Sequence, residues 1–241
     1  GVGMKLVAHT EGDYRTLPWK FTLLNSDVIN AFALPGGQVF ISRALAEKFQ
    51  SEAELAGVLG HELGHVTAEH GDRAVAQQVG LTALAVGASI LAGDDRNMQI
   101  ASQAVVTGAG VFALSFSRDQ ENEADGLGMR YMVAAGYDPT GMLQVMRVLA
   151  KASEGSSQWE MFSTHPDPKS RIKAIEKRLT GKYATTQNNP EYGMYEARYQ
   201  NDFLAPLNRL PPAPKSPQAR LDLSAPHTWC AHCAEARSAR L

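Results

Sequence analysis

His61-Glu62-Leu63-Gly64-His65 is the stretch of this chain best equipped for chemistry. It has the form H-E-x-x-H. On an α-helix, residues four apart stand about 40° apart around the axis and one turn along it, so both imidazoles leave the same face. Two neutral imidazole nitrogens so placed can hold one Zn²⁺. Glu62 lies beside the pair and fits a general base for water activated at such a metal. The pattern is short and arises by chance, so its weight rests on the helix that carries it.

The flanking residues supply that helix. Ser51-Glu52-Ala53-Glu54 reads as a capping box, with the Ser51 hydroxyl on the Glu54 N–H and the Glu54 carboxylate reaching back to Ser51. Leu55, Val58, Leu59, Leu63 and Val66 then recur at helical spacing. The helix is predicted over Glu52–His70, with Gly71 as its C′ residue. At that end His70 reads as a cation favoured by the helix dipole rather than as a metal ligand.

A catalytic zinc takes three protein ligands and keeps one position open. Within Arg118-Asp119-Gln120-Glu121-Asn122-Glu123-Ala124-Asp125, Glu121 and Asp125 are again four apart and share a helix face, while Glu123 points elsewhere. In the ligand reading Glu121 binds the metal, and Asp125 accepts a hydrogen bond from the free ring nitrogen of His61 or His65, fixing its tautomer. The plainer alternative is a solvated acidic turn pairing with Arg118 and Arg130. The upstream histidine pair favours the ligand reading.

These residues resemble the M48 family of gluzincin metallopeptidases, in particular its soluble bacterial branch. The likeness rests on His61-Glu-Leu-Gly-His65 followed by Glu121-Asn-Glu-Ala-Asp125, in the form E-x-x-A-D. Asn30-Ala31-Phe32-Ala33-Leu34-Pro35-Gly36-Gly37 is similar to the strand and turn before the family's zinc helix. Thr164-His165-Pro166 with Arg171-Ile172 is similar to its distal element. The resemblance implies His61, His65 and Glu121 as ligands of one Zn²⁺, Glu62 as base and Asp125 as supporting carboxylate. It implies a metalloendopeptidase acting on polypeptides, here unfolded or misfolded proteins of a bacterial periplasm or cell envelope.

His165 is open on the residues alone. In some soluble relatives the matching histidine sits near the metal and closes the fourth position in a latent form; a histidine there could also donate to the oxyanion of a tetrahedral intermediate. The plainer reading leaves it in a loop before Pro166, with Asp167-Pro168 capping the next helix. We count it with Glu62 and Asp125 among the catalytic candidates. The alternative to the peptidase is a latent or non-proteolytic zinc-containing chaperone or adaptor, its fourth position closed by His165.

The elements that must position these groups give an α+β fold. It is mainly helical and, by the resemblance, zincin-like, with a small antiparallel β-sheet packed on the H-E-x-x-H helix. Strands are predicted over 19–24, 28–34 and 38–41, with Pro35-Gly36-Gly37 turning between the last two. A free edge near Asn30–Leu34 could take substrate backbone as an added strand. Helices follow over about 73–91, 99–135, 140–153 and 168–179. Leu143, Met146, Val148 and Leu149 are core positions, and Ile172, Ile175 and Leu179 form one stripe. Residues 1–181 read as the metallopeptidase domain. Residues 182–241 read as an extension: a short helix around 190–200, then a Pro-rich flexible tail. No internal repeat is found.

Composition bounds the rest. The 241 residues carry a formal charge of −2, which points to neither nucleic acid nor an anionic surface. A signal peptide is expected to be absent or already removed. The apolar runs over 79–93 and 101–116, parted by Asp94-Asp95-Arg96-Asn97, fall short of the ~18–20 residues of a spanning helix. They read as a helical hairpin beside the cleft. Contact with a membrane surface stays open, spanning does not. In the tail, Cys230-Ala-His-Cys233 with His227 reads as a local disulfide or free thiols sooner than a zinc knuckle.

Overall fold

The structure, a computed structural model, describes residues 1–77, 80, 84, 115–153, 165 and 168–215. The predicted turn at 94–97, most of the apolar run on either side of it, Thr164, Pro166 and Asp167, and the Cys230–Cys233 tail lie outside those residues.

Helix α1 (Val2–Val7) leads into strands β1 (Lys20–Leu24), β2 (Ala31–Leu34) and β3 (Gln38–Ser42). A short α2 (Arg43–Ala46) precedes the long α3 (Glu52–Thr67), and residues 70–77 form α4. Then come α5 (Arg118–Ala134), α6 (Thr140–Ser153) and α7 (Pro168–Thr180). The fold is α+β and mainly helical, as expected.

The sheet corrects the expectation of an antiparallel one. Its order is β1-β3-β2, with β2 antiparallel to β3 and β1 parallel to it. The hairpin turns through Gly36 and Gly37, whose φ of +88° and +90° suit residues without a Cβ. β1 takes the far side of β3 rather than the outer edge of β2, and runs in the same direction as β3. Phe32 sits opposite Phe40 across the hairpin, their rings stacked 4.9 Å apart. β2 pairs with β3 alone, so its other edge carries no strand among the described residues.

α3 is the core of the molecule. Every residue from Ala53 to Val66 is buried, where the sequence pattern suggests a one-sided helix. A helix enclosed on all sides needs neighbours that approach closely, and its glycines permit this. Gly57 lies against the backbone of Met142 on α6, Gly60 against Gly128 and Gly64 against Ala124 on α5. Gly141 of α6 in turn meets Ala53. Leu63, Met129, Met132, Met142, Val145, Leu149 and Ile175 fill the surrounding core.

The helix ends differ from expectation in three places. Ser51 caps Glu54 N–H at 3.2 Å, but the Glu54 carboxylate accepts from the Gln50 N–H at 3.1 Å and the Ser51 hydroxyl at 3.4 Å instead of from the Ser51 N–H. α3 stops at Thr67 and not at His70, because Glu69, with φ +56°, makes the turn that Gly71 was expected to make. α5 starts at Arg118, where Ser117 and Gln120 form a full capping box, so the helix predicted from residue 99 is not continuous through 115–117.

Beyond α7 the described residues, to 215, stay on the domain. The helix predicted near 190–200 begins at Glu196, after Tyr195 in a left-handed conformation, and runs on in short turns to Leu207. Arg198 pairs with Glu52, Tyr199 donates to the Ala46 carbonyl at 2.8 Å, and Arg43 reaches the Leu207 carbonyl at 3.2 Å. No described helix is long and apolar enough to cross a membrane.

Candidate metal centre

α3 carries His61 and His65 one turn apart on the side facing α5, with Glu62 next to His61 in the chain. The Gly60–Gly128 and Gly64–Ala124 contacts bring α5 so close that Glu121 and Asp125, four apart on one face, stand over the two imidazoles. His165 enters from outside this pair, and Arg171 comes from the first turn of α7.

Four ligand atoms converge. His61 Nε2 lies 3.0 Å from His65 Nε2 and 3.3 Å from His165 Nδ1. Glu121 Oε1 is 3.3 Å from His65 Nε2 and 2.9 Å from His165 Nδ1, and Glu121 Oε2 is 3.6 Å from His61 Nε2. A tetrahedral ion with arms of about 2.0–2.1 Å has ligand-to-ligand edges of about 3.3 Å. The four groups lie within 4.8 Å of one another, are all buried, and so could hold one metal ion. The donor set of three imidazoles and a carboxylate suits zinc.

Asp125 Oδ1 lies 2.9 Å from His61 Nδ1, the nitrogen turned away from the cluster. Of the two histidines that Asp125 could serve, the structure places it on His61. Arg171 grips the same carboxylate with two hydrogen bonds, from Nε to Oδ2 at 2.8 Å and from Nη2 to Oδ1 at 2.6 Å. Its Nη1 donates to Glu121 Oε2 at 2.6 Å. In the sequence Arg171 is marked only by its place after Thr164-His165-Pro166; its spacing carries no sign that it binds both carboxylates.

The charges of the pocket are nearly sealed from water. Glu62, Glu121, Asp125 and Arg171 are 1%, 0%, 0% and 6% exposed. Three carboxyl groups against one guanidinium leave a formal excess of two negative charges, which a divalent cation would balance. Burial pushes the Asp125 pKa upward, but Arg171 outweighs it and holds the group well below the usual carboxylate range. For Glu121 burial is likewise outweighed, first by His165 and then by the other histidines. Burial, then the neighbouring His61, keeps His65 well below the usual imidazole value, in the neutral form that ligates. His165 runs the other way: burial would lower it, but Glu121 raises it.

Glu62 Oε1 is buried with no hydrogen-bond partner among the described residues, and His165 Nε2 is 3.9 Å away. A buried carboxylate oxygen left without a partner is costly, and such groups mark functional sites. Glu123 points away from the cluster, as expected, and meets His70 instead. The expectation for His70 fails: it is wholly buried against His65 and begins α4, where the dipole does not favour a cation.

The profile of Peptidase family M48 matches residues 3–179. The chain is 34% identical over 218 residues to the beta-barrel assembly-enhancing protease of Yersinia pestis, an alignment covering 88% of this chain and 44% of that protein. It is 32% identical over 169 residues to mitochondrial metalloendopeptidase OMA1 of Arabidopsis thaliana, covering 70% of this chain and 32% of that one. To metalloprotease LoiP of Escherichia coli it is 29% identical over 163 residues, covering 68% and 64%. The chain thus spans less than half the length of the first of these relatives.

Proposed function

The chain belongs to peptidase family M48, and from that premise we propose that it is a zinc-dependent endopeptidase hydrolysing peptide bonds of unfolded or misfolded envelope proteins. The observation that carries this is the convergence of His61, His65, Glu121 and His165 beside the unpartnered Glu62 oxygen. In this reading His61, His65 and Glu121 hold one zinc per chain. A zinc ion held there supplies Lewis acidity, which acidifies water and polarises a carbonyl.

The protein's own groups do the rest. Glu62 takes the proton of the attacking water and delivers it to the leaving amine. Asp125 holds His61 with Nδ1 protonated, which leaves Nε2 free to ligate. Arg171 fixes Asp125 and Glu121 so that neither carboxylate rotates away. The outer edge of β2, around Asn30–Leu34, would take an extended polypeptide by strand addition. The setting in a bacterial periplasm or envelope is supported by the bacterial relatives named for β-barrel assembly.

His165 favours a second reading. With Nδ1 at the fourth corner, four protein groups surround the site, as in closed structural zinc centres. The chain would then be latent, or would serve as a non-proteolytic chaperone or adaptor. Zinc content and cleavage of casein, compared between wild type and Glu62→Gln, separate the readings. The endopeptidase predicts about one zinc in both proteins and a loss of roughly 10²–10⁴-fold in cleavage for the variant. Zinc in both with cleavage in neither would favour the closed site. Absence of zinc from the wild type would overturn both readings.

A further inference from the structure

We propose that His70 is a positioning residue for the metal site: it accepts the Nδ1–H of His65 and passes the restraint to Glu123, so that a chain His65–His70–Glu123 fixes the tautomer and ring plane of His65. The inference rests on the assignment of His65 as a ligand through Nε2.

The geometry begins at the end of α3. Had the helix continued, residue 70 would stand about 140° around the axis from His65 and face elsewhere. The left-handed turn at Glu69 redirects the chain and lays the His70 ring back over His65. Nδ1 of His70 comes within 3.0 Å of Nδ1 of His65, and the two ring centroids are 5.0 Å apart at 71°. His70 is wholly buried. Its Nε2 lies 3.3 Å from Glu123 Oε2, on a side chain that is 56% exposed. Phe116, tilted over His65 at 4.0 Å between centroids, covers the pair.

Proton placement then follows without choice. Nε2 of His65 faces Glu121 and His61 and must offer a lone pair to an ion, so its proton sits on Nδ1. Two Nδ1 atoms at 3.0 Å cannot both carry protons, so His70 Nδ1 is the bare acceptor. The proton of a neutral His70 is therefore on Nε2, the nitrogen that meets the Glu123 carboxylate. Each link depends on the one before, and every distance is that of a hydrogen bond.

The two α3 histidines are thereby held differently. Behind His61 stands a buried carboxylate locked by Arg171. Behind His65 stands a buried neutral ring, with its carboxylate one residue further out at the surface. The spacing predicts no such role, since five residues separate His65 from His70 on what reads as one helix.

The test reads tautomers and metal affinity in the full chain. Long-range ¹H–¹⁵N spectra of the zinc-loaded wild type are expected to show the His70 proton on Nε2 and a bare Nδ1. A proton on His70 Nδ1 overturns the proposal, and this readout needs no variant. Zinc affinity by chelator competition is expected to fall about 10- to 100-fold in His70→Leu. His70→Asn, which keeps an acceptor near Nδ1, is expected to regain most of that loss, and Glu123→Ala to lie between. Equal affinity in wild type, His70→Leu and Glu123→Ala would overturn the proposal while leaving the metal site intact. A wild type that binds no zinc would instead sink the assignment of His65 itself.

Discussion

A Cβ placed on Gly64 would stand 2.7 Å from the carbonyl oxygen of Ala124, so α3 and α5 touch backbone to backbone at the level of the metal site. The contact is rigid on both sides, because neither atom belongs to a flexible side chain. It sets the height of Glu121 and Asp125 over His61 and His65.

Gly64→Ala therefore has two opposed effects. Helix propensity alone favours alanine by about 1 kcal/mol. The clash forces the helices apart, with a cost of about 1–3 kcal/mol typical of overpacking. We expect net destabilisation, read as a lower urea midpoint, together with weaker zinc binding as the carboxylates lift off the imidazoles. A variant as stable as wild type that holds zinc equally well would show that the close approach is not what positions the site.

Arg171 offers a sharper test of the electrostatics. Arg171→Leu leaves Asp125 and Glu121 buried without their shared cation, a loss expected to cost about 3–5 kcal/mol in metal-free protein. Zinc beside Glu121 should offset part of it, so the deficit measured by urea unfolding should shrink in excess zinc. Arg171→Lys keeps a charge but not the fork that binds Asp125 twice, and should fall between the two. A midpoint for Arg171→Leu equal to wild type, with chelator present, would refute the account.

The legible and illegible parts of this site divide along physical lines. His61, Glu62, His65, Glu121 and Asp125 could be read together because spacings of one and four residues on a helix fix which side chains share a face. His165 could be named but not placed, since its position depends on how a separate segment crosses the cluster. The role of His70 was misread because its position depends on a turn at Glu69, a residue type with no preference for positive φ; Gly71 carried the signal and did not make the turn. Strands could be recognised from alternation, but the parallel pairing of β1 with β3 depends on chain path and leaves no mark on a single strand.

Glu54 supplies a pH dependence away from the metal. Its carboxyl is buried, and burial raises its pKa above the ordinary value despite the bonds from Gln50 and Ser51. A raised folded pKa contributes stability that is full below the unfolded value of about 4.3 and is lost as pH rises through the folded value. Glu54→Gln has no such loss. The difference in melting temperature, variant minus wild type, should thus be more positive at pH 7 than at pH 4. A difference that is flat in pH, or that falls as pH rises, would contradict the burial argument.

His165 decides between a closed site and a working one. Its Nδ1 stands 3.3 Å from His61 Nε2 and 2.9 Å from Glu121 Oε1, at the corner that a substrate carbonyl or water would need. If the imidazole closes that corner, the active protein is the minor state in which His165 has swung out, and such states are commonly about 0.1–10% populated. His165→Ala should then raise casein cleavage by about 10- to 1000-fold while weakening zinc binding, since one ligand is gone. If His165 instead donates to the oxyanion, the same variant should lose about 10²–10³-fold in turnover. The two outcomes differ in sign, so one rate comparison at saturating zinc separates them. Cleavage that is unchanged or lower counts against latency, and the closed geometry would then describe how the metal is held between turnovers.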